Sequence, residues 1–251
     1  MLKCISLKAL SFALLACVIL VGSTTVQAAS ASRAQQTLQQ ASSQKKMTFI
    51  MFFRKDDAAT RAMYKTLSDE ASRLSNASVV TVNVTDQAES ELTSRFDAGR
   101  MPMPAVVAVA PNGAVSGVFP KKLKPIQVQN AVVSPIQAEC IKALQDKKIV
   151  LLCAQPDAGA YIPKGVQEFQ ADPEFSPRTH VVNVRASDPV EAKFLKLFKV
   201  PSSVSKPVTV FMAPPGKLLG VYKTDVSNKT LTQTLVAAGA CCSDPNCKHK
   251  K

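Results

Sequence analysis

Apolar and polar residues along this chain fall into blocks that switch between two periods. Met47–Phe53 (MTFIMFF), 105–110 (AVVAVA), 148–153 (KIVLLC) and Val208–Ala213 (VTVFMA) are short, nearly continuous apolar runs. Such runs predict strands buried on both faces. Between them the apolar positions recur at helical spacing. Residues 58–74 place Ala62, Met63, Leu67, Ala71 and Leu74 on one helix face, and Phe194, Leu195, Leu197 and Phe198 form another. Further helices are predicted over 31–44, 93–99, 123–133, 136–144 and 230–238, and further strands over 79–84, 180–184 and Lys217–Tyr222. Asp56 or Asp57, just before the helix at 58, is read as its N-cap, because a short acid there satisfies free amides.

These blocks occur twice. Val82-Asn83-Val84 recurs as Val182-Asn183-Val184, about a hundred residues on. Pro104, Pro111, Gly113, Gly117 and Phe119 recur as Pro207, Pro214, Gly216, Gly220 and Tyr222. The first match and the later set differ by a three-residue slip. The sequence assigns it to the loop 200–205, where an insertion is cheap.

Residues 86–119 run as a polar helical segment, a Met103-Pro104 step, an apolar strand, a Pro-Asn-Gly turn and a second strand. This order closely resembles the C-terminal half of a thioredoxin domain, in which a cis-Pro precedes the central apolar strand. The resemblance implies an α/β fold of two tandem thioredoxin-like domains, each a central mixed sheet flanked by helices. The expected boundaries are 31–134 and 135–240, between a leader at 1–28 and a Cys/Lys-rich tail at 241–251. It also implies that the loops carrying Met103 and Pro104, and Lys206 and Pro207, contact bound polypeptide. Redox-active members carry Cys-x-x-Cys where the first strand meets its helix, since the helix terminus makes the first thiol a thiolate. Here Asp57 and Thr60 stand at those positions, and no cysteine occurs between Cys17 and Cys140. The second junction, 154–161, has no Cys-x-x-Cys either. The resemblance therefore points to a non-catalytic binding module, as in the redox-inactive domains of protein disulfide isomerases.

The first residues change the compartment. Lys3 and Lys8 precede an apolar run over 9–22, and Val26-Gln27-Ala28 is a small-residue cleavage site. That run is shorter than the ~20 residues of a membrane span, so a cleaved export signal is expected. Leu14-Leu15-Ala16-Cys17 resembles a lipoprotein box, which leaves lipidation of Cys17 as the alternative and the one route to a membrane. The net charge is +13, or +11 with Lys3 and Lys8 set aside. A basic exported protein favours protein partners or acidic envelope components. Nucleic acid is not expected, because no RNP, helix-turn-helix or zinc-finger pattern accompanies the charge. No Gly-x-Ser-x-Gly or His-Glu-x-x-His occurs, and the chain has only two histidines.

The cysteines carry the remaining chemistry. Cys153 ends an apolar run and Cys140 sits on the preceding helix; burial as small hydrophobes or a Cys140–Cys153 disulfide both fit. Cys241, Cys242, Cys247 and His249 lie within nine residues of the tail. Three chemistries fit them: a disulfide staple, a Cu or Zn site, or a redox-active tail. With a staple no cofactor is expected.

Overall fold

The computed structural model describes residues 31–157 and 161–239. The leader with Cys17, and the tail with Cys241, Cys242, Cys247 and His249, lie outside the described residues. The elements run α1 (Arg33–Ser43), β1 (Met47–Phe53), α2 (Ala58–Ala71), β2 (Ala77–Asn83), α3 (Ser90–Arg95), β3 (Ala105–Val109), β4 (Val115–Pro120) and α4 (Pro125–Ala131). The same order follows again: α5 (Pro135–Gln145), β5 (Ile149–Gln155), α6 (Lys164–Ala171), β6 (Thr179–Arg185), α7 (Ala192–Leu197), β7 (Val208–Ala213), β8 (Lys217–Tyr222) and α8 (Asn228–Ala237). Each half builds a four-stranded sheet, β2-β1-β3-β4 and β6-β5-β7-β8. In each, the first two strands are parallel and the last two add antiparallel. This is a tandem thioredoxin-like α/β architecture.

Alternation along the central strands divides each sheet into two apolar faces. Phe49 and Met51 of β1 join Met63 and Leu67 of α2 and Val128 of α4, while Ile50 and Phe52 join Ala34 and Leu38 of α1 and Leu92 of α3. In the second half Leu151 and Cys153 face Val166 and Phe169 of α6 and Leu231 of α8. Val150 and Leu152 face α5 and α7. The two halves share a helix. Cys140, Ala143 and Leu144 of α5 fill the second core, whereas Ala138 and Ile141 pack into the first. Gln145 at the end of α5 accepts from the Val115 amide at 3.0 Å and donates to its carbonyl at 2.8 Å, so a side chain covers the start of the outer edge of β4.

The repeat is finer than the sequence suggests, and its spacing differs. Met47 pairs with Ala77 and Ile149 with Thr179, a constant offset of 102 that aligns Val82 with Val184. The Val-Asn-Val match is displaced by two residues. A two-residue shift keeps every side chain on its face, so both strands read alike. Phe52 pairs with Ala105 and Ala154 with Val208, so the offset becomes 103 at the third strand. The insertion before Val208 is one residue, not three. Both hairpins carry a register shift at matching positions, and in both an aromatic lies over a glycine. A Cβ on Gly117 would meet the Phe119 ring at 2.5 Å, and one on Gly220 would meet the Tyr222 ring at 2.9 Å. The Ser32–Glu89 bond recurs as Ser134–Glu191. α6 has no counterpart in the sequence pattern, because its apolar positions Val166 and Phe169 are too few to mark a period.

Candidate functional site

In the first half the C-terminal ends of β1 and β2 and the loop before β3 converge. Asp57 caps α2: its carboxylate accepts from the Thr60 amide at 2.9 Å, and that bond first of all holds it below the ordinary carboxylate range. The cap leaves Asp57 engaged with the helix. The Thr60 hydroxyl donates to the Lys55 carbonyl at 2.8 Å. The two positions where a redox pair would stand therefore organise the turn between β1 and α2.

In the loop before β3, Met103–Pro104 is cis and Pro104 is buried. Met103 is half-buried and packs on the α1/α3 core together with Met101, Phe96 and Val84, all partly open to solvent. Arg54, directly after β1, donates to the Gly99 carbonyl at 2.7 Å and ties the β1 end to this loop. The Arg95 guanidinium lies 5.3 Å over the Phe96 ring. The result is an apolar lip carrying two methionines and flanked by arginines. Methionine adapts its shape to varied partners, and arginine favours acidic ones. Of this group the sequence singled out Met103 and Pro104 alone. Val84, Phe96 and Met101 join them only through tertiary packing.

The second half is built differently at the same place. The cis bonds among the described residues are Met103–Pro104 and Pro214–Pro215; Lys206–Pro207 is not one of them. The loop leading to Pro207 holds the one extra residue, which changes how the chain approaches β7. Lys206 is exposed and Pro207 buried. Pro156, Asp157, Ala186, Ser187 and the serines at 202, 203 and 205 line a polar hollow of about 300 Å³. Ser187 donates to the Asp157 carboxylate inside it. The loop that carries an apolar methionine lip in one half thus has a serine-rich hollow at its counterpart in the other. The two loops are not equivalent sites.

The cysteine expectation is corrected in part. Cys140 and Cys153 are free and buried, and a disulfide between them is ruled out by strand parity. Cys140 lies on the α5 face of the second sheet, but Cys153 alternates to the α6/α8 face. Burial pushes the Cys140 thiol up to about 12, with Glu139 and Glu191 adding to the effect, and pushes Cys153 up to about 11. Burial thus disfavours the thiolate form of both. Both folded values lie above the unfolded value of 9.0, so their contribution to stability is complete below pH 9. It is lost as pH rises from there through about 11 and 12. Iodoacetamide at pH 8 is expected to leave both residues unmodified in the folded protein and to label both in urea; peptide mass spectrometry reads the result. Labelling of either without denaturant would overturn the burial. Among the described residues no three His, Cys, Asp or Glu side chains gather as a metal site, and no helix is long and apolar enough to cross a membrane.

Similarity to solved structures is broad and distant. The germline thioredoxin Deadhead from Drosophila melanogaster matches 38% of this chain and 84% of its own at 21% identity, with a TM-score of 0.31. The NTD_N/C domain of the alkylhydroperoxide reductase AhpF from Enterococcus faecalis matches 80% of this chain and 98% of its own, at 18% identity and a TM-score of 0.30. The oxidised thioredoxin of Plasmodium falciparum matches 39% and 88%, at 15% identity and 0.32. No protein-family model matches the sequence, and no curated protein matches it. The fold assignment rests on strand order and helix placement, which are those of tandem thioredoxin-like sheets.

Proposed function

We propose that this is an exported, non-catalytic thioredoxin-like protein that binds polypeptide, or an acidic envelope component, through the lip at Met103. One observation carries the reading. The loop that touches polypeptide in thioredoxins is kept here as an apolar surface of Val84, Phe96, Met101 and Met103, and the start of α2 holds Asp57 and Thr60 where a dithiol would stand. Two further features support it. Arg54 and Arg95 flank the lip, and the whole chain is basic, which favours an acidic partner. The free, buried Cys140 and Cys153 offer no substitute for a reactive thiol.

The experiment pairs a chemical assay with a binding assay. Insulin reduction by dithiothreitol is followed with the full chain and with a chain cut after Gly239. The proposal predicts no acceleration by either form. Acceleration lost on cutting would transfer the function to Cys241, Cys242 and Cys247. Binding is then measured by anisotropy with reduced, carboxymethylated α-lactalbumin, an acidic unfolded polypeptide. Met103→Asp places a charge in the apolar lip and is expected to weaken binding by about tenfold, which corresponds to roughly 1.4 kcal/mol. Equal binding by the variant would remove the lip from the function.

A further inference from the structure

The lip lies on the α1/α3 face of the first sheet. A different surface lies at the edge of the same sheet, on the face toward α2. Among the described residues β2 is the outermost strand and is bonded to β1 alone. The Met47 amide donates to the Asn76 carbonyl at 3.0 Å, and the Val84 amide to the Phe53 carbonyl at 2.9 Å. Those two bonds fix the phase of the ladder. In a parallel pair, alternate residues turn their backbone groups inward, so the even residues of β2 face β1. Ala77, Val79 and Thr81 therefore turn N–H and C=O outward, and among the described residues nothing bonds to them.

Edges of this kind are normally guarded by charge or proline. The seven residues of β2, ASVVTVN, contain neither. The equivalent strand β6 carries His180 and Arg185, and its Asn183 side chain accepts from Gln155 at 3.1 Å. The first edge is the unguarded one. It also opens onto a groove of about 540 Å³, in which Thr81 lines one side, Met51, Phe53 and Tyr64 supply apolar surface, and the Arg61–Asp56 pair stands at 3.2 Å on the rim. Tyr64 is 45% exposed.

We propose that the β2 edge takes up an extended polypeptide as an added strand, with a bulky apolar side chain of that strand seated in the groove beside Tyr64. Backbone pairing supplies the attachment and the groove supplies selectivity. Groove size decides against a second copy of the chain. Edge-to-edge pairing of two β2 strands would offer the groove only Ala77, Val79 and Thr81, which are too small to fill it. A phenylalanine or leucine fills it better, and acidic residues flanking it suit the basic chain.

The probe is a fluorescein-labelled heptapeptide, Glu-Thr-Val-Phe-Val-Thr-Glu, titrated with the full chain and read by anisotropy. Thr81→Pro removes an outward amide without touching the β1 ladder and is expected to weaken binding at least about tenfold. Thr81→Glu keeps the amide and adds a charge that repels the acidic probe at the groove. It is expected to act in the same direction and serves if the proline variant does not fold. Alternate N-methylation of the peptide is expected to abolish binding, and replacing its phenylalanine by alanine to weaken it about tenfold, while Leu197→Ala, at an exposed position of the other half, changes nothing. Unaltered binding by both Thr81 variants, absence of binding by the natural chain, or undiminished binding of the N-methylated peptide would each overturn the proposal. So would sedimentation of the free chain as a dimer that Thr81→Pro dissolves, which would assign the edge to a second copy.

Discussion

Gly165→Ala is expected to destabilise the protein by about 3 kcal/mol, the upper end of what overpacking a core costs. Gly165 lies in the first turn of α6 and is buried. A Cβ on it would stand 2.0 Å from the Val226 carbonyl oxygen and 2.7 Å from the Asn228 amide nitrogen. Those are backbone atoms at the start of α8, so no rotamer change relieves the contact. One helix must move instead. Val166 and Phe169 of α6 share a core with Leu231 and Leu235 of α8, and that movement loosens both sides of it. Close packing gives such a core no slack. Urea unfolding checks the value, with Gly99→Ala as the control, because a Cβ on Gly99 meets nothing within 4 Å. A loss below about 1 kcal/mol would mean that α6 and α8 separate freely, contrary to the buried contact.

Glu191→Ala is expected to cost about 2 kcal/mol, the scale of a lost helix cap plus unsatisfied buried partners. The Glu191 side chain is buried; its carboxylate accepts from the Ile136 amide at 3.0 Å and from the Ser134 hydroxyl. Ser134 itself makes no capping bond to α5, so this distant carboxylate acts as the cap. α5 contributes to both cores, and fraying its first turn weakens packing on two sheets. The repeat supplies a matched control. Glu89 holds Ser32 at 2.7 Å, but Ser32 already caps α1 through the Gln35 amide at 3.1 Å. Glu89→Ala is therefore expected to cost well under half as much. Equal losses in the two variants would show that the local cap at α1 contributes nothing.

The central strands were legible because their apolar runs are uninterrupted. Met47–Phe53, Val208–Ala213 and Lys217–Tyr222 have the same bounds in sequence and structure, and Asp57 caps α2 as expected. The helix over 58–74 ends at Ala71, since the last residues turn out of the helix before β2. The repeat was visible but misaligned by two residues, because period-two alternation is blind to an even shift. The candidate site was half legible. Met103 and Pro104 stand out as a motif, but Phe96, Val84 and Arg54 carry no signal of their own and join the lip only when α3 and the β1 end fold over it.

By itself the sequence determined the fold class, the duplication and the lack of a dithiol at either helix start. Those follow from periodicity and residue identity, which are local properties. The tertiary structure decided where long-range geometry rules: that α5 serves two cores, and that Cys140 and Cys153 lie on opposite faces of a sheet. It also decided that β2 leaves an edge without a partner among the described residues. No local pattern encodes which strand ends up outermost. That depends on the order in which strands pair, and pairing order is fixed only when the whole sheet assembles.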